Sequence, residues 1–377
     1  MPVSIIPVST KKQLKQFIRY NYLLYKNNHY SVPDLFSDML NTLNPKKNAA
    51  YEFCEAQCFL AYSDKKIVGR VAAIINHKAN KKWNVNAVRF DWIDFIDDID
   101  VSKALIDTVM QWGKDRGMDC IEGPLGFTDF DPEGMLVEGF DQLSTMITIY
   151  NHPYYPEHLK KLGFETAATW IEMRLTVPST VPEKHIRIAD IVKEKYHLHI
   201  VECNSMRQLA KSYGKAIFDL LNESYSHLFG YSELSDKQVR QYIDMYLSIV
   251  DRRMISMVAD ENDNLVAVGI SMPSMSNALR KSKGRFLPFG WWHLLRALFF
   301  KRDEVLDLML VAVKPSYQNK GVNALLMADL VPRYIEMGFK YGETNCELIE
   351  NIKVQSMWEF YNPIVHKRRC AFKRNID

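Results

Sequence analysis

The stretch VAVKPSYQNKGVNALL, residues 311–326, runs from an apolar segment through Lys314-Pro315 into a short polar loop and out into a second apolar segment. The run before Pro315 reads as a strand, and the run after Gly321 reads as a helix. A strand-to-helix loop of this kind aims backbone N–H groups outward, and the new helix adds its partial positive end. Lys320 contributes a full charge, and Gly321 lets the backbone come close to a ligand. A pyrophosphate fits such a place. The plain alternative is a glycine kept for turn geometry alone.

The chain around this loop has 377 residues, long enough for two domains. Hydrophobic residues make up 47% and charged residues 25%, the balance of a folded protein. A net charge of +3 is too small for a general nucleic-acid binder, and no basic track is present, so no nucleic-acid partner is expected. The six cysteines are scattered without a CxxC pair, which points to reduced thiols in the cytoplasm. The opening MPVSIIPVSTKKQLKQF does not read as a signal peptide, and no apolar run is long enough to span a bilayer. Attachment to the inner face of the membrane stays open.

Two halves with similar element order can be read. In the first, a helix (STKKQLKQFIRYNYLLYK) precedes two strands around Ser63-Asp64-Lys65-Lys66. A helix near 101–118, strand DCIEGPLG, an acidic loop, strand MITIY, helix YYPEHLKKLGF and strand TWIEMRL follow. The second half repeats strands around a turn, has a long insertion, and continues with strand VLDLMLVAV, the quoted loop, a helix, strand YGETNCEL, and a last helix and strand. TVPSTVPEKHIR reads as the linker. The expected fold is α/β, with a mixed α+β sheet in each of two tandem domains, residues 1–180 and 181–377.

The pattern V-x-V-x-P-x-x-Q-x-x-G-x-N resembles the coenzyme A loop of the GCN5-related N-acyltransferase (GNAT) superfamily, Gln/Arg-x-x-Gly-x-Gly/Ala after a strand. The resemblance implies that Gln318, Asn319, Lys320, Gly321, Val322 and Asn323 hold the diphosphate. Asn323 stands where Gly or Ala is usual. It also implies that the preceding strand splays, so that the backbone of Leu310, Val311, Ala312 and Val313 meets the pantetheine arm. An open strand edge accepts an extended amide as it accepts another strand. Asn351 in ENIKVQSMWEFYNP is similar to the Asn that leads the family's second coenzyme A segment. The general-acid Tyr slot seven residues on is Trp358, which has no phenolic proton, and Tyr361 is the nearby candidate. The first half has no Gln-x-x-Gly, and its corresponding junction carries Asp94, Asp97, Asp98 and Asp100, so one coenzyme A site is expected, in the second half. EGPLGFTDFDPEGMLVEGFD, NHPYY, GRFLPFG and HKRRCAF resemble a tandem bacterial acyltransferase-like family, with bacterial ceramide synthases at its distant end. The resemblance implies transfer from acyl-CoA or acetyl-CoA to an amine, without a metal. The rival readings are long-chain transfer to a lipid amine, short-chain transfer to a soluble amine or lysine, and acyl-CoA sensing without turnover.

Two segments carry further expectations. GPLGFTDFDPEGMLVEGFD places Asp129, Asp131, Glu133, Glu138 and Asp141 among glycines. It reads either as a solvated loop or as the acceptor side, with Glu138 as the base because Val137 and Phe140 would limit its hydration. The insertion 280–302 has seven cations around FLPFGWWHLLRALFF, and no acid occurs from Asn264 to Arg302. Trp291, Leu294, Leu295, Leu298 and Phe299 share one helical face. That face reads either as a membrane-surface anchor or as a core or interface helix.

Overall fold

A computed structural model describes residues 2–246, 250–300 and 303–376. Lys301 and Arg302 of the insertion, and residues 247–249, lie outside the described residues.

The first half runs β1 (Ser4–Pro7), α1 (Lys11–Leu24), α2 (Phe36–Thr42), β2 (Cys54–Ser63), β3 (Lys66–Asn76), α3 (His77–Trp83), β4 (Ala87–Phe95), α4 (Ile99–Lys114), β5 (Cys120–Gly123), β6 (Met135–Glu138), α5 (Tyr154–Lys161) and β7 (Glu165–Thr176). α1 starts at a Thr10–Gln13 capping box, which satisfies two otherwise orphaned N–H groups. α4 covers one face of the sheet through Val101, Leu105 and Val109, while Phe17 and Ile18 of α1 cover the other. The expected strand MITIY is irregular. There the Thr145 N–H bonds the Thr148 hydroxyl at 3.2 Å, a local turn that competes with a ladder.

The second half runs α6 (Glu183–Tyr196), β8 (His199–Ile200), α7 (Met206–Tyr225), α8 (Asp236–Tyr246), β9 (Ile255–Ala259), β10 (Leu265–Pro273), α9 (Ser276–Ser282), α10 (Gly290–Leu295), β11 (Val305–Val313), α11 (Val322–Glu336), β12 (Tyr341–Thr344), β13 (Glu347–Leu348), α12 (Ile352–Ser356) and β14 (Ile364–Asn375). α6 takes over the last residues of the expected linker, because Ala189 and Val192 bury against Leu325 and Val322 of α11. YGETNCEL is two short strands, not one, with β13 turning onto β7.

Among the described residues all strands join one sheet, ordered β1-β2-β3-β4-β5-β14-β7-β12-β11-β10-β9-β8, with β6 on β14 and β13 on β7. The centre of this order is an exchange. The last strand of the chain, β14, lies between β5 and β7, while β7 of the first half pairs with β12 of the second. Buried charges sit at the exchange. Glu172 on β7 accepts from Lys367 at 2.7 Å and from Arg369 at 2.5 Å, both on β14, with all three side chains out of contact with solvent. Despite its burial, these two cations hold the Glu172 carboxyl down to about 2.

The insertion folds as α9, α10 and a π-helical turn over Arg296–Phe300. The face read from its sequence divides. Leu294 and Ala297 are buried with Met272, Met275 and Leu279, and Leu298 packs partly on them together with Val32 and Leu35 of the first half. Trp291 and Leu295 flank that contact, and Phe299 points outward. Helical spacing finds the face, but the docking partner from the first half decides which part of it is covered. No helix among the described residues is long and apolar enough to cross a membrane.

Candidate active site

β11 and β12 are parallel and register from Val305↔Tyr341 to Leu308↔Thr344, and then separate. A register shift against β10 falls at the same point, between Ile270 and Ser271. A bulge turns a strand away from its neighbour. Beyond it, N–H and C=O groups alternate between the two edges of β11. The Val311 carbonyl accepts from the Tyr225 hydroxyl at 2.8 Å, and the Val313 carbonyl accepts from the Ser224 hydroxyl at 3.0 Å and from Gln318 Nε2 at 3.2 Å. Val311 and Val313 therefore face the open fork, and Leu310 and Ala312 turn their peptide groups toward β10. Of the four backbone positions expected to meet a pantetheine arm, two present their N–H groups to the fork.

The loop after β11 is exposed from Asn319 to Gly321. Asn319 has φ 62° and Gly321 φ 80°, alternating conformations that turn successive N–H groups into one concavity. Among the described residues, the N–H groups of residues 319–323 donate to no protein acceptor. The Lys320 ammonium lies 5.0 Å from the ring centres of both Tyr196 and Tyr317, so its charge is held at the loop. Val322 is buried as the first helical residue. Asn323 is half-buried, and its Oδ1 has no hydrogen-bond partner.

The fork opens into a cavity of about 230 Å³. One wall is second-half: Leu310 and Val311 of β11, Leu326 and Met327 of α11, and Asn351 at the start of α12. The opposite wall carries Asp129, Asp131 and Glu133 from the acidic loop of the first half, so the two halves meet across one space. Burial pushes Asp131 up to about 6, with Asp129 beside it adding to the rise. Burial and the Asp129 charge lift Glu133 well above the usual carboxylate range. Arg89 anchors this loop by donating to the Gly126 and Gly230 carbonyls at 3.3 and 3.1 Å.

Glu347 is the residue that the sequence did not single out. It lines the cavity on β13. Its Oε1 accepts from the Trp358 indole N–H at 2.7 Å, and its Oε2 has no partner. Burial pushes its carboxyl up to about 7. Trp358, placed in the slot of a general-acid tyrosine, thus holds a carboxyl poised near neutral pH. The only available signal was an acid near the end of YGETNCEL, the stretch expected as a single strand after the helix that follows the loop.

Glu138 and Tyr361 stand apart from the cavity. Glu138 is two-thirds exposed and pairs with Arg368 at 2.9 Å, so Val137 and Phe140 do not desolvate it. Tyr361 is buried, with its hydroxyl 2.8 Å from His185 Nδ1. The fork of the first half, past the β4–β5 pairing at Arg89↔Glu122, holds a smaller cavity of about 50 Å³ lined by Arg70, Asp91 and Asp94; Arg70 pairs with Asp94 at 2.7 Å, and both oxygens of buried Asp91 are unpartnered.

No family model matches the chain. It is 24% identical over 351 residues to a bacterial ceramide synthase of Caulobacter vibrioides, covering 92% of this chain and 89% of that one. It is 25% identical over 325 residues to the protein YghO of Escherichia coli, covering 85% and 81%. A tandem GNAT protein from the clavulanic acid biosynthesis pathway superposes with a TM-score of 0.58 at 10% identity, over 100% of this chain and 99% of that one. A parallel strand pair that forks in each of two halves joined in one sheet, with an open amide loop beside the second fork, is thus the fold of the tandem GNAT proteins, carried by a chain similar along most of its length to a bacterial ceramide synthase.

Proposed function

We propose that this protein is an N-acyltransferase that moves an acyl group from acyl-coenzyme A to an amine. The observation that carries the reading is the β11–β12 fork, with an open amide loop at one end and Glu347 on its wall. The loop N–H groups and Lys320 suit the diphosphate. The Val311 and Val313 N–H groups suit the amides of the pantetheine arm and the thioester oxygen. An ammonium entering from the first-half side meets Asp129, Asp131 and Glu133, which favour a cation. Glu347 takes a proton from the ammonium, and the lone pair so freed attacks the thioester carbonyl carbon. The C–N bond forms, the nitrogen gives up its second proton to solvent, the C–S bond breaks, and the thiolate leaves to be protonated by solvent.

The apolar lining from Phe218, Phe229, Met272 and Met309 supports a long acyl chain, each buried methylene contributing about 0.8 kcal/mol. Similarity to a protein named a ceramide synthase supports a lipid amine as acceptor. The test is turnover with acyl-CoA donors of increasing length against a panel of soluble and long-chain amines. Release of free thiol that depends on both partners supports the reading. Donor binding without thiol release under any pairing would leave a sensor and overturn it.

A further inference from the structure

The insertion buries one side and leaves the other uncovered. Its loop and helices expose Phe286, Leu287, Phe289, Trp292, Phe299 and Phe300, with Leu287, Phe289 and Phe300 each at least 70% accessible. The rings cluster: Trp292 lies 6.0 Å from Trp291 and 6.2 Å from Phe300, centre to centre. Soluble surfaces scatter such side chains singly and seldom gather them in one patch. Lys281, Lys283, Arg285 and Arg296 are exposed around the patch, and none forms an ion pair among the described residues. No acid occurs from residue 264 to residue 302 to neutralise them.

We infer that this face docks on an anionic lipid surface. Charge decides between occupants. A protein partner or a second copy of this chain brings both signs of charge, whereas four unpaired cations around bare aromatic rings match a bilayer with anionic headgroups. The rings enter the headgroup boundary and the cations stay at its level. The placement is also apt. On the buried side of the insertion, Leu294 and Ala297 pack against Met272, with Met309 beside them, and both methionines line the cavity. One layer of apolar side chains separates the docking face from the space where the acyl chain and the acceptor meet. The face differs from the one read from helical spacing, because Leu294 and Leu298 belong to the inner layer.

The experiment is sedimentation of the full chain with vesicles of phosphatidylcholine alone and of phosphatidylcholine mixed with phosphatidylglycerol, at low and high salt. The parent should bind the mixed vesicles, bind pure phosphatidylcholine weakly, and be released by salt. The pair Phe289→Ser/Phe300→Ser and the triple Lys281→Glu/Lys283→Glu/Arg285→Glu should each lower partitioning by about tenfold or more. All these positions are exposed, and an unchanged denaturation midpoint shows that the variants are folded. No binding by the parent, or equal binding by either variant, overturns the inference. So does a dimer that the aromatic pair dissolves while vesicles are ignored, since that assigns the face to a second copy. Acyl transfer plays no part in the readout, so this result and the reaction proposed above stand or fall separately.

Discussion

The Trp358 indole donates to Glu347 Oε1 at 2.7 Å, while Oε2 is buried with no partner of its own in a residue that lines the cavity. One oxygen is fixed and the other is left without a protein partner. An acid held by one bond in an apolar setting keeps its proton to higher pH than usual and gives up little orientation when it loses it.

Glu347→Gln should therefore lower kcat roughly a hundredfold or more while donor binding persists. In the parent the base works when ionised, so activity should fall as pH drops through about 7, the value to which burial raises this carboxyl. Rate profiles from about pH 5 to about pH 9 check this. Trp358→Phe, which removes the indole donor, should shift the limb upward, since that bond favours the ionised form.

Gly321→Ala should weaken donor binding and stability together. Gly321 sits at φ 80°, and a Cβ there would lie 2.9 Å from Ile188 Cγ2 and 3.1 Å from Val192 Cγ2. The left-handed backbone alone costs about 1 kcal/mol with a side chain, and α6 has to shift as well. Denaturant titration and a titration with acyl-CoA measure the two losses.

Asp307 is buried on β11 with both oxygens unpartnered, and burial, followed by the nearby Glu343 charge, pushes it up to about 7. Its folded value lies above its unfolded value, so the folded state holds the extra proton between about pH 4 and about pH 7. Stability from this group is full below that window and is lost as pH rises through it. Asp307→Asn should flatten the fall and leave the variant about 1 kcal/mol or more better than the parent at about pH 8. Unfolding curves across the window test the sign.

Glu172→Gln should destabilise by about 3 kcal/mol, because it leaves Lys367 and Arg369 buried without their counter-charge. The loss should show as a lower unfolding midpoint at neutral pH. It should narrow toward about pH 2, where the parent carboxyl is itself protonated.

Met309→Trp tests the chain-length argument. The larger side chain fills cavity space at the bulge and should move donor preference toward shorter acyl groups without changing the amine preference. Competition between donors of two lengths reads this directly.

Local pattern was legible and distant pairing was not. β11 could be bounded because Val305–Val313 is an apolar run broken only by Asp307 and closed by Pro315, and α11 because Gly321 opens it. The acidic loop was visible as composition. That Glu133 rather than Glu138 faces the cavity depends on β6 docking against β14, some 230 residues later in sequence by the pairing Arg368↔Glu138. Glu347 gains its character from burial and from Trp358, neither of which a strand pattern encodes. The exchange of β7 and β14 was hidden for the same reason: two closing strands with similar patterns satisfy either neighbour equally well on paper.

That exchange governs how the molecule can be made. Cys120, two-thirds of the way through the first half, pairs with Asn375. During synthesis the amino-terminal core keeps an open flank between β5 and β7 until β14 has been made. Neither half can complete its sheet ahead of the other, and a product lacking β14 would carry a gap in the middle of its sheet, not a frayed end.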